Sequence, residues 1–337
     1  MTAKLNQAFP NAVDQQRRPS TEVIVCTYNG SRFIAEQLES IFAQRQKPDL
    51  ISVYDDQSSD NTVAIVRQMI AQRAPTGVST RIQVNHSNVG YASNFSNAIA
   101  EAQGDVLFLC DQDDRWHVDK IRVSLDLMQT ARADMMFSDG LLIDAKGRPL
   151  AASSVLSSYG LSKTDIVKFS VDPVQYLVRR NYVNGAAIAI RRKAAQAALP
   201  VPAGMPHDYW LAIWCALHGG IGIAPNCLYE YRQHGGNVIG VGLHRWHHQW
   251  FGIWHQPRPP RLRELSLLSA FVPRIQGMPP ATAFDEKLQW MEACVAQKER
   301  LVRLSAILRS ALLGRYRRFG APYALARDLV SILRPPT

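Results

Sequence analysis

The stretch Glu22-Val-Ile-Val-Cys26, followed at once by the polar turn Thr27-Tyr-Asn-Gly30, decides the fold of this chain. A short apolar run that ends at turn residues predicts a buried strand. The periodic apolar residues of 33–42, which come next, predict a helix. This strand, turn and helix form the first unit of a repeating pattern.

The pattern of strand, polar loop and helix recurs along the chain. Such alternation predicts parallel β-α-β units, and therefore an α/β fold with a doubly wound, mainly parallel sheet flanked by helices. Further strands are predicted at 50–54, 81–84, 105–110, 135–138, 186–190, 221–223 and 228–231, and further helices at 62–70, 91–102, 116–130 and 208–217, with Asp60 or Ser59 as the N-cap of the helix at 62–70.

Two acidic loops, Asp55-Asp56 and Asp111-Gln112-Asp113-Asp114, come directly after predicted strands. Ligands of such sheets bind beyond the carboxyl ends of the strands, so both loops are expected at the same edge. Asp111 and Asp113 stand two apart in an extended segment and point to one side. Three carboxylates in four positions repel one another unless a cation offsets the repulsion. The second loop therefore predicts a site for Mg²⁺ or Mn²⁺ and a diphosphate, because these ions prefer carboxylate and phosphate oxygens.

Each of these acids also has a simpler interpretation. A lone Asp after a strand is most often a solvated turn or a helix cap, and Asp114 fits the cap of the helix predicted at 116–130. Asp55 and Asp56 suit hydrogen bonds to a nucleobase or ribose, although loop formation alone explains them equally well. The metal site is favoured by the three carboxylates within four positions of the second loop, and no single residue of the loop would be sufficient to predict it.

Two later segments add polar side chains beside apolar structure. His207-Asp-Tyr-Trp210 opens a predicted helix, where Asp208 is either the N-cap or a general base. Tyr231-Arg-Gln-His234 leaves a predicted strand beside two glycines, which suits His234 to metal binding and Arg232 to a diphosphate contact. A capping Asp and a structural His are the commoner alternatives.

In their order along the chain, these segments resemble the inverting glycosyltransferases of family 2, in particular the rhamnosyltransferase-like branch of bacterial polysaccharide assembly. The resemblance covers roughly residues 23–240. One residue differs from the family pattern: the chain has Gln57 where the family usually has Gly. The resemblance is carried by Thr27-Tyr-Asn-Gly30, Asp55-Asp-Gln-Ser-Ser-Asp60, Asn88-Val-Gly90, Asp111-Gln-Asp-Asp-x-Trp116, Asn184-Gly185, His207-Asp-Tyr-Trp210 and Tyr231-Arg-Gln-His234.

The resemblance implies a GT-A fold and a single displacement, with inversion, at a nucleoside-diphosphate sugar. Asp113 is then the metal ligand, His234 a further ligand and Asp208 the base, with Mg²⁺ or Mn²⁺ as the cofactor. Together with the residues argued above, the predicted nucleotide-sugar site comprises Thr27, Tyr28, Asn29, Asp55, Asp56, Asn88, Asp111 and Arg232.

The predicted activity is transfer of a hexose or deoxyhexose, with rhamnose favoured, from a dTDP- or UDP-linked donor to a lipid-linked saccharide acceptor in cell-surface polysaccharide assembly. A nucleotidyltransferase that makes nucleotide sugars is one alternative. It should carry a Gly-rich loop with Lys or Arg after the first strand, and Thr27-Tyr-Asn-Gly30 is not such a loop. A non-catalytic sugar- or nucleotide-binding module is the other alternative, and it predicts no base at Asp208 and no metal dependence.

The formal charge of +10 is concentrated near the end of the chain. Residues 244–337 contain 15 Lys and Arg against 6 Asp and Glu, whereas residues 1–243 contain 23 against 22. This shift predicts a boundary near residue 244, with a basic, helical region over 244–337. The polar first residues predict a flexible lead over 1–19, and the family resemblance implies that 20–243 form the glycosyltransferase domain. No nucleic-acid-binding module accompanies the charge, so a nucleic-acid partner is not expected.

Trp246, Trp250 and Trp254 are spaced to share one face of a helix. This face is expected to pack on the catalytic domain. The alternative is an interfacial membrane anchor, in which arginines between 300 and 318 face lipid phosphates. Five widely spaced cysteines, a polar first nineteen residues and the lack of a run of about 20 apolar residues predict a cytoplasmic protein, at most peripheral at the inner face of the membrane.

Overall fold

A computed structural model of the chain describes residues 18–235, 259–296, 300–320, 325, 328 and 329. One sheet of nine strands organises this part of the molecule, in the order β3-β2-β1-β4-β8-β6-β9-β5, with β7 beside β6. The strands are β1 (Thr21–Thr27), β2 (Leu50–Asp55), β3 (Ser79–Val84), β4 (Val106–Cys110), β5 (Arg115–Trp116), β6 (Met135–Asp144), β7 (Pro149–Ser154), β8 (Ile188–Arg191) and β9 (Ile221–Gln233).

Helices follow most of the strands and continue beyond the sheet. They are α1 (Ile34–Phe42), α2 (Thr62–Arg73), α3 (Tyr91–Glu101), α4 (Lys120–Ala131), α5 (Val155–Ser158), α6 (Lys163–Val171), α7 (Pro173–Leu177), α8 (Arg192–Ala197), α9 (His207–His218), α10 (Pro259–Ile275), α11 (Thr282–Met291), α12 (Arg300–Leu312) and α13 (Arg315–Phe319).

The strands β1 to β4 are parallel, and β1 lies between β2 and β4. All seven residues of β1 are buried, as expected for a parallel strand covered on both faces. The register places Thr27 opposite Asp55 and Val25 opposite Cys110. The loops after β1, β2 and β4 therefore begin at one edge of the sheet.

Pairing in the second half of the sheet is mixed. The strand β8 runs antiparallel to both β4 and β6, whereas β6 and β9 are parallel. The predicted α/β fold with helices flanking the sheet is confirmed, and its parallel part is the half that carries the acidic loops.

The segment after the second acidic loop differs from its prediction. The helix predicted at 116–130 begins only at Lys120, because residues 115 and 116 form β5 and pair with β9. Asp114 therefore does not cap this helix. Its carboxylate accepts a hydrogen bond from the backbone amide of Arg232 instead, at 2.9 Å.

Two further predictions are corrected. The N-cap of α2 is Asn61, not Asp60 or Ser59, although the Asp60 carboxylate still accepts from the first amide of the helix at 3.0 Å. The strand predicted at 135–138 extends to the ten residues of β6, and the two strands predicted within 221–231 are the single strand β9. The register between β6 and β9 shifts in the middle, and this irregularity accounts for the apparent break.

The helix α10 packs against the part of the chain that precedes it. The ring of Phe271 lies 6.1 Å from that of Trp210, and Arg274 donates to the carbonyl oxygen of Pro200 at 2.5 Å. The predicted tryptophan face, Trp246, Trp250 and Trp254, lies outside the described residues. None of the helices in the described part of the chain combines the length and the apolar composition needed to span a membrane.

Candidate active site

The loop after β1 is held by the loop after β4. The Gln112 carboxamide accepts a hydrogen bond from the Tyr28 amide (2.8 Å) and donates one to the Tyr28 carbonyl oxygen (3.0 Å). The same carboxamide lies so close to Gly30 that a Cβ at that position would overlap it. Gln112 therefore fixes the first loop against the acidic loop, a role that its position between two acids did not reveal.

The Asp55 carboxylate organises the first and second loops from inside the protein. It is 1% exposed and accepts from the Thr27 hydroxyl (2.7 Å), the Ser58 amide (2.7 Å) and the Ser58 hydroxyl (2.6 Å). The Ser58 hydroxyl in turn accepts from the Asn29 amide at 2.8 Å. Asn29 has a φ of 48°, which Asn tolerates better than most residues. Thr27, Asn29 and Asp55 thus belong to one hydrogen-bonded group.

The Asp56 carboxylate likewise organises the loop before α3 by accepting hydrogen bonds from it. It is 2% exposed and accepts from the Asn85 carboxamide (2.8 Å) and from the amides of Val89 (2.9 Å) and Gly90 (2.8 Å). The Asn88 carboxamide donates to the Asp56 carbonyl oxygen at 3.3 Å. Donors of the protein therefore occupy both carboxylates of the first acidic loop.

Tyr28 differs from its buried neighbours because its side chain is 48% exposed. An aromatic ring open to solvent at the ligand-binding edge of the sheet is suited to stacking on a flat nucleobase. Thr27, Asp55 and Asp56 are at most 2% exposed, and their hydrogen bonds mark them as loop-forming residues. Their predicted contacts with the nucleoside stay predictions.

Asp111 lies in a different electrostatic environment from the first acidic loop. Within the described residues no donor contacts its carboxylate. Burial, followed by the charges of Asp113 and Asp208, raises the pKa of Asp111 to about 7. A carboxylate without donors beside two other carboxylates favours the binding of a proton or a cation.

Asp113 forms a close pair with His234. The Asp113 Oδ2 and His234 Nε2 atoms are 2.8 Å apart, and both side chains are 15% exposed. The imidazole ring also lies against Phe33, with 4.7 Å between the ring centroids. The structure therefore brings together the two residues predicted as metal ligands, one from the loop after β4 and one that directly follows β9.

A divalent cation fits this pair if a bound ligand supplies the remaining oxygens. Within the described ranges, no group of three His, Cys, Asp or Glu side chains forms a complete metal site. A carboxylate and an imidazole are both ligands that Mn²⁺ accepts, and diphosphate oxygens and water complete such a shell. Asp113 and His234 therefore suit an ion that is bound jointly with a diphosphate.

Arg232 lies beneath the acidic loop, and its side chain is only 1% exposed. Its Nε atom donates to the carbonyl oxygen of Asp113 (2.7 Å), and its Nη2 atom donates to the Glu36 carboxylate (2.5 Å). The guanidinium group also covers the ring of Phe33 at 4.9 Å. The guanidinium therefore supports the loop that carries Asp113, and the diphosphate contact predicted for Arg232 stays a prediction.

A buried lysine not anticipated from the sequence lies near the acidic loop. Lys120 is 0% exposed, its Nζ atom donates to the Ala186 carbonyl oxygen (2.7 Å), and it lies over the rings of Trp116 (4.6 Å) and Tyr229 (4.8 Å). Burial lowers the pKa of Lys120 to about 8, and nearby acidic groups, including Asp114, oppose that shift. Lys120 therefore contributes positive charge behind the acidic loop.

Asp208 lies in the first turn of α9. The N-cap of this helix is Pro206, which excludes the capping interpretation of Asp208. Its carboxylate is 9% exposed and accepts from the Asn181 carboxamide (3.1 Å) and the Tyr209 amide (2.6 Å). Burial raises the pKa of Asp208 to about 7 in spite of these hydrogen bonds. Because its charge also raises the pKa of Asp111, the two carboxylates belong to one site.

Two neighbours of Asp208 were given no role in the sequence analysis. The Asn181 side-chain oxygen accepts from the Val183 amide at 2.9 Å, which orients the carboxamide that donates to Asp208. His207 is stacked on Phe95 with 4.1 Å between ring centroids, and burial lowers the pKa of His207 to about 3. The imidazole next to Asp208 is therefore neutral.

Comparison with known proteins assigns the family. Residues 22–193, just over half of the chain, match the sequence model of Glycosyl transferase family 2. The chain therefore belongs to Glycosyl transferase family 2, and the membership predicted from its motifs is confirmed.

Curated relatives include named and unnamed proteins. The dTDP-rhamnosyl transferase RfbG of Shigella flexneri is 32% identical over 127 residues, which are 37% of this chain and 43% of that protein. An uncharacterized protein of Mycobacterium tuberculosis is 25% identical over 244 residues, 69% of this chain and 60% of that protein. This chain thus spans less than two thirds of the length of these relatives.

Solved structures share the fold at low sequence identity. S. aureus TarS in complex with UDP-GlcNAc superposes with a TM-score of 0.59 at 14% identity, covering 93% of this chain and 89% of that one. The mannosyltransferase of Pyrobaculum calidifontis in complex with GDP-Man and Mn²⁺ gives 0.53 at 17% identity, covering 97% and 91%. The predicted GT-A fold is confirmed by this likeness.

Proposed function

We propose that this chain is an inverting, metal-dependent glycosyltransferase that moves a hexose or deoxyhexose from a nucleoside-diphosphate sugar to a saccharide acceptor. The observation that carries the proposal is the Asp208 carboxylate, which is buried, held by Asn181 and close enough to Asp111 to raise its pKa. A base with a pKa of about 7 is matched to proton transfer near neutral pH.

The donor is held at the edge of the sheet by residues of three loops. The exposed ring of Tyr28 stacks on the base, and Gln112 holds the backbone of Tyr28 beside the second acidic loop. Asp111 accepts a hydrogen bond from the ribose or contributes to the metal site. Asp56 and Asn88 support the donor indirectly, since they shape the loop before α3.

The diphosphate is bound together with Mg²⁺ or Mn²⁺, which Asp113 and His234 would hold. When bound, such an ion offsets the negative charge that develops on the leaving diphosphate. Arg232 keeps the ligand loop in place through the Asp113 carbonyl oxygen and the Glu36 carboxylate. Its contribution to diphosphate binding is therefore indirect.

Asp208 takes the proton of the acceptor hydroxyl as that oxygen attacks the anomeric carbon. The bond from this carbon to the diphosphate oxygen breaks in the same displacement, so the configuration inverts. Burial disfavours the charged form of Asp208 and makes it a stronger base than an exposed carboxylate. The Tyr209 amide and the Asn181 carboxamide keep the carboxylate oriented.

Rhamnose is the donor sugar that we favour, linked to dTDP or UDP. The name of the Shigella relative, a dTDP-rhamnosyl transferase, supports this choice, as does the rhamnosyltransferase-like order of the motifs. We further propose a lipid-linked saccharide acceptor at the inner face of the membrane, in cell-surface polysaccharide assembly, with the basic C-terminal region in peripheral contact with lipid.

The proposal is tested by incubating the full chain with dTDP-rhamnose, UDP-glucose, UDP-galactose and UDP-GlcNAc, each with Mn²⁺, and measuring release of the nucleoside diphosphate. Release from a dTDP or UDP donor that stops on addition of a chelator is the expected result. Release that is indifferent to the chelator would contradict metal dependence. A nucleotidyltransferase would instead release pyrophosphate from a nucleoside triphosphate and a sugar phosphate, and a binding module would release nothing.

A further inference from the structure

The helix α12 and the turn after it expose large apolar side chains. Leu308, Leu312 and Leu313 are 50%, 89% and 59% exposed, and Val302 near the start of the helix is 44% exposed. Leu308 and Leu312 lie four residues apart and therefore on one side of the helix, and Leu313 follows directly. Apolar side chains gathered in this way mark a contact surface, whereas isolated exposed leucines do not.

The other side of α12 is anchored in the protein. Ile307 is 0% exposed and Ser310 is 3% exposed, and the Ser310 hydroxyl lies 3.5 Å from the Sγ atom of Cys294. Burial of this side fixes the orientation of the helix. The leucines therefore face outward as a consequence of the packing of α12.

The same segment is strongly basic. Residues 300–320 contain six arginines and no Asp or Glu. Arg309, Arg315 and Arg317 are exposed, whereas Arg318 forms an ion pair with Glu286 at 2.6 Å. Leucines flanked by exposed arginines match a lipid surface that is apolar inside and negatively charged at its headgroups.

We propose that Leu308, Arg309, Leu312, Leu313 and Arg317, here called the docking face, bind the surface of a bilayer that contains anionic lipid. The leucines enter the boundary between headgroups and acyl chains, and the arginines contact the headgroup phosphates. The inference deepens the proposed function and rests on it in one respect, since a lipid-linked acceptor is met only at a membrane.

The helices near the docking face are fastened to the segment that positions the base. The Arg179 guanidinium donates to the carbonyl oxygen of Arg318 (3.2 Å), and the Lys287 ammonium donates to the carbonyl oxygen of Arg179 (3.3 Å). Two residues later, Asn181 donates to Asp208. The helices next to the docking face are therefore linked through hydrogen bonds to the segment that carries Asn181, the partner of Asp208.

The test is sedimentation of the full chain with phosphatidylcholine vesicles, with and without phosphatidylglycerol. Wild type is expected to bind the anionic vesicles at least about tenfold more tightly than the neutral ones, and to lose that preference at high salt. The double variant Leu308→Ser/Leu312→Ser is expected to bind about 100-fold more weakly, because two apolar side chains no longer leave water. Arg309→Gln/Arg317→Gln is expected to bind about 20-fold more weakly.

Matched controls come from exposed residues elsewhere in the chain. Val167 and Val171 of α6 are 66% and 82% exposed, so Val167→Ser/Val171→Ser removes comparable apolar surface and should leave binding unchanged. Arg67→Gln/Arg132→Gln removes two exposed charges away from the docking face and should have little effect. All four double variants should retain the thermal midpoint of wild type and its release of nucleoside diphosphate from free donor.

Several results would overturn the docking face. These are unchanged binding of the leucine variant, equal binding of wild type to neutral and anionic vesicles, or no vesicle binding together with a dimer that Leu312→Ser dissociates. The last result would assign the face to a second copy of this chain. Vesicle binding in a protein that acts on no donor would support the docking face and contradict the proposed function. Release of nucleoside diphosphate by a protein that binds no vesicles would support the proposed function and contradict the docking face.

Discussion

Two acidic loops flank β1 at one edge of the sheet, and they differ in how their carboxylates are satisfied. Asp55 and Asp56 each accept three hydrogen bonds from groups of the protein. Asp111 has no donor within the described residues, and burial with its acidic neighbours raises its pKa to about 7. Two similar acidic motifs therefore have different roles. The carboxylates of the first loop are satisfied by donors of the protein, whereas Asp111 in the second loop favours a bound cation or proton.

Removal of the proposed base, Asp208, should have the largest effect. Asp208→Asn keeps the shape of the side chain and its place beside Asn181 but removes the proton acceptor. We expect transfer to fall about 1,000-fold or more, within the usual range for loss of a general base. Measurement of nucleoside-diphosphate release, with thermal unfolding as the control for the fold, checks this. Wild-type turnover would remove Asp208 from the mechanism.

Loss of the proposed metal ligand should come next. Asp113→Ala removes the carboxylate that faces His234 and is expected to lower transfer about 100-fold or more at a fixed Mn²⁺ concentration. A rise in the Mn²⁺ concentration needed for half-maximal rate would accompany the loss. An unaltered metal dependence would show that Asp113 is not a ligand.

The comparison between the loops predicts opposite effects on stability. Asp56→Ala leaves three donors without an acceptor, including the amides of Val89 and Gly90, and should cost about 3 kcal/mol of unfolding free energy. Asp111→Asn relieves repulsion in the second loop and should leave the unfolding free energy without metal unchanged or slightly higher. Urea unfolding measures the free energy of unfolding of both variants. Equal decreases in the two variants would contradict the proposed difference between the loops.

The pH dependence of stability should reflect the second loop. Because the pKa of Asp111 is raised from 3.8 to about 7, the folded protein retains a proton that the unfolded chain releases near pH 4. This group therefore lowers the stability of the folded state as the pH rises from about 4 to about 7, with no further loss above that. Asp111→Asn should show a shallower decline over this range. Parallel stability profiles for the two proteins would contradict the raised pKa.

The smallest effect is expected at the link between the loops. Gln112→Ala removes two hydrogen bonds to the backbone of Tyr28. We expect a KM for the donor about tenfold higher and a nearly unchanged kcat, because the loop must be ordered by the donor itself. Steady-state kinetics over a range of donor concentrations would show the split, and a fall in kcat alone would argue for a different role.

The elements that local signals control were predictable from the sequence. The apolar run of 22–26 and the turn after it predicted the position of β1 within one residue at each end. The first acidic pair begins at the last residue of β2, and the second acidic loop follows β4 directly. The short strand β5 was missed because Arg115 and Trp116 pair with β9, more than a hundred residues later. Such pairing leaves no local pattern.

Site residues that belong to a sequence motif were predictable. Site residues whose partners lie far away in the sequence were not. Asp113 and His234 were paired in advance by their place in the family order, and the structure brings them together. Gln112 acts on Tyr28, 84 residues away, and Asn181 acts on a residue 27 positions later. A carboxamide has no spacing rule that would reveal such a partner, and only the three-dimensional arrangement shows it.

The central claim is that the second acidic loop binds a divalent cation together with a diphosphate, whereas the first is complete without one. Electron paramagnetic resonance of free Mn²⁺, titrated with the protein and dTDP or UDP, measures this directly. The account predicts that protein and nucleotide together deplete the free Mn²⁺ signal, and that Asp113→Ala restores it to the level of nucleotide alone. Depletion that persists in Asp113→Ala would contradict the account.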